Sequence, residues 1–314
     1  MVAFVRSGAP PYVSSPRSIV RVHAAPPTLL PPGSASVVVA GATGGVGQLV
    51  VAKLLARGYH VHAWSRDADR ARAMFTTKLS AEQSARLALH TVDARDPSTV
   101  QAALTSPSTS TSSTSTTTSS DLPPIGAMIC TTGTTAFPSA RWAPDGENGP
   151  KPTDLDGPRH IIEQSTSLNL SRFVFVTSCG VDRFEEWGPF KLLNAFGVLR
   201  YKKQSEDLLR ASGLPWTIVR PSRLTDGPYT SYDLNTLLKA TSGGKRKVVV
   251  SGRDDLGRGQ CSRVAVAEAC VQALGCEEAL FKAVAMETVE GEGPGEDEGK
   301  WRELFGGVET LLLP

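Results

Sequence analysis

The stretch from Val37 to Arg66 constrains this chain more than any other. An apolar run, Val37-Val38-Val39-Ala40, meets the turn Gly41-Ala42-Thr43-Gly44-Gly45-Val46-Gly47, and an amphipathic segment then reaches Arg57. Short, β-branched and bounded by a turn, the first run reads as a buried parallel strand. Val46, Val50 and Leu54 recur at helical spacing with Val51 and Leu55 beside them, and Gly58 stands where a helix ends on glycine. A second strand, His60 to Trp64, follows directly. Strand, glycine turn, helix and strand in this order point to nucleotide binding. Glycine lets the backbone approach a pyrophosphate, whose charge then faces unpaired N–H groups and the positive end of the helix dipole.

The spacing is Gly41-x-x-Gly44-x-x-Gly47 rather than GxGxxG. It resembles the turn of extended and atypical short-chain dehydrogenase/reductases, usually GATGxxG. The resemblance implies an α/β doubly wound parallel sheet (Rossmann fold) with a small C-terminal substrate or lid region. It also implies a cofactor site at Gly41, Thr43, Gly44, Gly45, Val46 and Gly47. The second strand ends Ser65-Arg66, where an NAD-specific site would carry an acid for the ribose hydroxyls. An arginine suits a 2′-phosphate, so the expected cofactor is NADP; alternatively Arg66 is a solvated loop residue beside Asp67, Asp69, Arg70 and Arg72.

The chain has 314 residues and 40% hydrophobic content, enough for a sizeable core. Its net charge of +2 argues against a bulk electrostatic partner such as nucleic acid. The five cysteines form no CxxC pair or framework spacing, which favours reduced thiols. No run approaches the roughly 20 apolar residues of a transmembrane helix, so any membrane association is expected to be peripheral. Residues 1–34 are rich in Ala, Pro, Ser and Val, carry Arg6, Arg17 and Arg21, and contain no acid. That composition is expected of a disordered organelle transit peptide, with the prolines favouring chloroplast over mitochondrion; a plain disordered tail is the alternative.

Residues 35–276 are read as the NAD(P)-binding domain. Asp69 to Leu89 suggests a helix, and Leu87 to Val92 a third strand ending at Asp93. In the resembled family an Asp here often lies beside the adenine ring; a turn-capping role ahead of Pro97 is the alternative. A short helix is expected around Val100 to Leu104. Residues 105–121, almost wholly Ser and Thr, are expected to be a disordered insertion, since they cannot bury enough apolar surface to offset the entropy of ordering. Ile125 to Cys130 reads as the fourth strand. Thr131, Thr132 and Gly133 follow at its carboxyl end, suited to close approach by a nicotinamide ribose and phosphates or forming a mere polar turn. Asp156 with Pro158 behind it predicts a capped helix start, leading through Arg159 to Leu168 into the strand Arg172 to Val176.

That strand ends Thr177-Ser178-Cys179-Gly180, where the resembled family presents its catalytic serine. Family members usually add a Tyr-x-x-x-Lys pair, the lysine lowering the tyrosine pKa for proton exchange. Setting Glu206 on the glutamate that usually follows puts Lys202 on the lysine but Val198 on the tyrosine. Tyr201 is adjacent to Lys202 and points about 100° away on a helix, so the two do not rebuild the pair. Ser178 and Lys202 are therefore the catalytic candidates, with Cys179 and Tyr201 as further groups.

Thr217 to Val219 reads as a strand ending Arg220-Pro221-Ser222, which resembles the Arg-Pro-Gly that lies against the nicotinamide in this family. Pro221 and Ser222 join Thr177 in the expected cofactor site. Arg183 to Phe196 and Tyr229 to Lys247, with a helix at Asp233 to Ala240, are expected to form a basic lid, followed by a strand at Val248 to Val250. Cys261 to Leu274 predicts a final amphipathic helix whose first turn, Ser262-Arg263, touches the substrate loop. Residues 277–314 are read as an acidic linker and tail, with Trp301 to Leu313 either a docking helix or frayed. His60 and His62 share a strand face but lack a third ligand nearby, so no metal is expected. The expected function is a plastid NADP(H)-binding oxidoreductase acting on a small molecule; the alternative is a non-catalytic redox-sensing or assembly module.

Overall fold

A computed structural model describes residues 29–75, 79–105, 122–134, 146–186, 188–224 and 246–309. Of the expected insertion at 105–121, Thr105 is helical and 106–121 lie outside these residues, as do most of the transit peptide and the Asp233 to Ala240 helix.

Strand β1 (Ser36–Ala40) occupies the middle of a sheet, because its apolar side chains serve both faces. Val37 and Val39 enter one core cluster and Val38 and Ala40 the other. Around it lie β2 (His60–Ser65), β3 (Leu87–Thr91), β4 (Ile125–Cys130), β5 (Arg172–Val176) and β6 (Trp216–Pro221). A two-stranded accessory pair is formed by β7 (Arg223–Leu224) and β9 (Gln260–Cys261). With β8 (Arg246–Ser251) and β10 (Lys282–Glu290), the eight-stranded order is β3-β2-β1-β4-β5-β6-β10-β8, parallel except for the β10–β8 edge. This is the expected doubly wound sheet.

Helices α1 (Gly47–Ala56), α2 (Ala68–Phe75), α3 (Ala81–Ala85), α4 (Pro97–Thr105) and α5 (Gly157–Ser165) come first. Then follow α6 (Pro189–Leu193), α7 (Val198–Ala211), α8 (Arg263–Gln272) and α9 (Glu298–Gly306). One face is covered by α1, α2, α8 and α9, and the other by α4, α5 and α7. Among the described residues no helix is long and apolar enough to cross a membrane.

Four expectations need correcting. The single helix from Asp69 to Leu89 is two, because Ser80 starts α3 afresh: its Oγ accepts from Gln83 N and Gln83 Oε1 from Ser80 N, both at 3.1 Å. Asp156 does not cap α5. A π-helical turn, Pro152–Asp156, runs straight into α5, and Asp156 instead pairs with Lys151 at 2.7 Å. The final helix is not amphipathic, since α8 is buried against α1 on one side and the sheet on the other. Residues 277–314 are not merely linker and tail: β10 pairs in parallel with β6, and Trp301 and Phe305 of α9 are fully buried. Asp297 caps α9 by accepting from Lys300 N at 3.0 Å, and Lys282 Nζ donates to the Phe305 carbonyl at 2.7 Å. Phe281 takes a positive φ of 55° to turn the chain into β10, and packs edge-on to Trp216.

His62 and His90 form a buried cross-strand pair between β2 and β3, Nδ1 to Nε2 at 2.9 Å. Burial pushes the His62 pKa down to about 3, with His90 beside it adding to the effect, and burial pushes His90 down to about 4.

Candidate cofactor site

In a doubly wound sheet, ligands lie outside the carboxyl ends of the strands where the order reverses, here between β1 and β4. A cavity of about 420 Å³ opens at that place. Its wall runs from the glycine turn, across the ends of β2 and β3, to Thr131, Thr132, Gly133 and Thr134.

The turn needs glycine for two physical reasons. Gly41 sits at φ +78°, and a Cβ there would come within 3.0 Å of Thr131 Oγ1. A Cβ on Gly47 would overlap the Gly41 carbonyl oxygen and stand 2.8 Å from Thr131 Oγ1. Helix α1 can therefore start only with its first turn pressed against the turn backbone. Val46, the residue before it, provides no side-chain cap, so the helix end offers backbone donors on the side of the turn.

The ends of β2 and β3 bring the charges. Arg66, Arg70, Arg95 and Arg263 line the cavity, and Asp93 is the one carboxylate among its described lining residues. Arg95 grips Asp93 through Nη2 to Oδ2 at 2.6 Å and Nε to Oδ1 at 2.9 Å, which holds the Asp93 carboxyl below the usual carboxylate range. Arg66 and Arg95 both donate to Asn148 Oδ1. Thr43 Oγ1 and Ser65 Oγ lie 3.2 Å apart, joining the turn to the end of β2. A cradle that a methyl group would fill, beside four arginines, fits a dinucleotide with its phosphates.

Of the expected cofactor residues, Gly41, Thr43, Gly44, Gly45, Ser65, Arg66, Asp93, Thr131, Thr132 and Gly133 line this cavity. Val46 and Gly47 lie just behind it, in the start of α1. Thr177, Pro221 and Ser222 do not line it. Thr177 Oγ1 donates to Glu206 at 2.6 Å inside a buried network, and Ser222 N donates to the Met286 carbonyl at 3.0 Å. In that network Arg220 holds both Glu206 oxygens; burial opposes its charge, but Glu206 and Asp182 outweigh burial and keep it protonated.

The catalytic candidates are engaged by different partners. Ser178 Oγ donates to the Cys179 carbonyl at 3.0 Å. Lys202 is buried in α7 with Nζ 2.7 Å from Asp154 Oδ1, and a Cβ on Gly133 would come 2.9 Å from that Nζ. Lys202 therefore lies directly behind the cavity wall. Burial pushes the Asp154 carboxyl up, with Lys202 and the Thr134 N–H working against it. Val198 opens α7 and is buried, while the Tyr201 hydroxyl faces Arg200. Cys179 is buried, and its thiol is pushed up to about 12 by burial and by Asp254, which leaves it unreactive at neutral pH.

Sequence reasoning missed Trp64, Arg70, Arg95, Asn148 and Arg263 as cavity residues. Arg70 lies four residues after Arg66 where α2 begins, and Arg95 two after Asp93, so both had a local signal. Asn148 arrives from a remote segment and had none, and Arg263 was expected against the substrate loop rather than in this cavity.

The chain matches a family model described as NAD(P)H-binding over residues 41–277. It is 31% identical over 242 residues to the protein TIC 62, chloroplastic, of Pisum sativum, covering 74% of this chain and 39% of that protein. It is 29% identical over 281 residues to the uncharacterized chloroplastic protein At2g34460 of Arabidopsis thaliana, covering 87% of this chain and 82% of that one. The chain thus spans about two fifths of the pea relative. Among solved structures, the Lactococcus lactis oxidoreductase ylbE superposes with a TM-score of 0.57 at 14% identity, covering 86% of this chain and 95% of the other, a likeness of fold. The chloroplast relatives agree with the plastid localisation expected from the N-terminal composition. Glycine turn, sheet order and family match together make this chain a member of the NAD(P)H-binding family, of the atypical short-chain dehydrogenase/reductase kind.

Proposed function

We propose that this protein binds NADP(H) in the cavity beyond β1 to β4 and acts in the plastid as an oxidoreductase on a small molecule. The observation that carries the cofactor choice is the guanidinium set at the ends of β2 and β3. Arg66, Arg70 and Arg95 stand where the adenosine ribose would lie, and Arg95 neutralises Asp93, the one carboxylate among the described residues that line the cavity. A charge-assisted hydrogen bond contributes about 1.5–3 kcal/mol, or about ten- to a hundredfold in affinity. Titration with NADPH and NADH tests it: Arg66→Ala is expected to cut NADPH affinity and leave NADH nearly unchanged. Equal affinity of the two cofactors for the unmodified protein would sink the preference.

For the chemistry, the site would use Lys202 rather than a Tyr-x-x-x-Lys pair. Lys202 Nζ lies behind Gly133, oriented by Asp154, and Ser178 would present its hydroxyl to substrate from the end of β5. When bound, the cofactor supplies hydride chemistry. Thr177, Pro221 and Ser222, which do not line the cavity, would act on the nicotinamide side only as support set back from it.

A second reading, a non-catalytic module that reports the NADPH/NADP ratio, is favoured by one observation: Ser178 and Lys202 are both satisfied by protein partners rather than aimed together at one point. NADPH oxidation assayed against quinones, aldehydes and nucleotide sugars separates the two. Turnover of any of them, lost in Lys202→Met, supports the enzyme; tight NADPH binding with no turnover across the set supports the module.

A further inference from the structure

The glycine turn carries one feature that its own backbone does not explain. Gly45 has no positive φ, so conformation does not demand glycine there. Space does: a Cβ on Gly45 would come 3.0 Å from Arg263 Nε and 3.2 Å from Arg263 Cδ. The side chain of Arg263 lies across Gly45, and both residues line the cavity. Arg263 comes from far along the chain. It is the first residue of α8, whose start is capped by Ser262 Oγ accepting from Val264 N at 3.3 Å. Helix α8 packs along α1, so the two helices fix the distance between Arg263 and the turn. Of the other three cavity arginines, Arg66 follows β2, Arg70 lies in α2 and Arg95 follows β3, with Arg70 and Arg95 bonded to Thr43 and Asp93. Arg263 is the cation that reaches the turn from the opposite side.

We infer that Arg263 is a ligand of the dinucleotide's pyrophosphate, a guanidinium delivered by α8 to the phosphates that the Gly41–Gly47 turn receives. This inference rests on the cofactor site described above. A planar guanidinium over a turn of backbone N–H groups pairs two kinds of donor with the same anion, and a charge-assisted bond of this type is among the stronger ones. A consequence is that the cofactor ties α8 to α1 across the C-terminal part of the fold. The role also differs from contact with the substrate loop, the place expected for the Ser262-Arg263 turn from sequence.

The test uses the full chain, Arg263→Gln and Arg263→Lys, titrated with NADPH, NADH and adenosine 2′-monophosphate, which has the 2′-phosphate but no pyrophosphate. Arg263→Gln is expected to weaken NADPH and NADH by the same factor, about ten- to a hundredfold, while adenosine 2′-monophosphate binds as before. Arg263→Lys is expected to recover part of the loss, and each variant's thermal midpoint without ligand checks that it folds. Loss confined to NADPH, an equal loss for adenosine 2′-monophosphate, or no loss at all would overturn the assignment. If the unmodified protein binds neither dinucleotide, the cofactor site itself fails. If it binds both and Arg263→Gln changes nothing, only the role of Arg263 fails.

Discussion

The Lys202–Asp154 pair joins stability to the candidate chemistry, and replacing Lys202 by Met is expected to separate them. Asp154 is fully buried; its Oδ1 takes Lys202 Nζ at 2.7 Å and Thr134 N at 3.2 Å, while Oδ2 has no partner among the described residues. Removing the cation leaves a buried carboxylate with one backbone donor. Breaking a buried pair from one side costs about 3–5 kcal/mol, and at about 2–4 °C per kcal/mol for a chain of this size the melting temperature should fall by roughly 6–20 °C. The deficit should also depend on pH. Burial already pushes the Asp154 carboxyl up, and Lys202 works against that, so its removal pushes the group higher still. Between the unfolded value near 3.9 and this raised folded value the folded state holds the extra proton, so stability rises as pH falls. Urea denaturation of both proteins at about pH 8, 7 and 5 reads this out, as the difference between them at each pH. The gap should be smaller at pH 5 than at pH 8, and adding Asp154→Asn to Lys202→Met should restore much of it. A gap below about 1 kcal/mol at pH 8, far under the 3–5 expected for a buried pair, or one that does not change with pH, would refute the reasoning.

Two further outcomes follow from the structure. Gly47→Ala puts a methyl group onto the Gly41 carbonyl and against Thr131 Oγ1; overpacking of this kind costs about 1–3 kcal/mol, and NADPH binding followed by fluorescence should be lost, whereas unaltered affinity would show that the turn can move aside. The His62–His90 pair is held neutral in the fold, so stability should be full above pH 6.5, the ordinary histidine value, and fall as pH drops towards their lowered values of about 3 and about 4. The loss is about 1.4 kcal/mol per pH unit for each imidazole; urea midpoints should flatten over this range in His62→Asn/His90→Asn, and an equally steep profile in that variant would exclude the pair as its source.

What the sequence determined by itself lies close together along the chain. Val37 to Arg66 encodes strand, turn, helix and strand through local rules: β-branched bulk, glycines where backbone must pass close, and apolar residues at helical spacing. Those rules suffice for the central strands, the turn and the place of Arg66 at the end of β2. Nothing local around Asp154 shows that α7 will bring Lys202 against it. Strand β10 has no comparable local signal, because Lys282-Ala283-Val284-Ala285-Met286 has weak strand propensity; pairing with β6 and burial under α9 decide its state. Arg263 gave no local sign of where its side chain would go. The packing of α8 on α1 brings it over Gly45, and so shows that this glycine leaves room for a side chain from the far end of the fold.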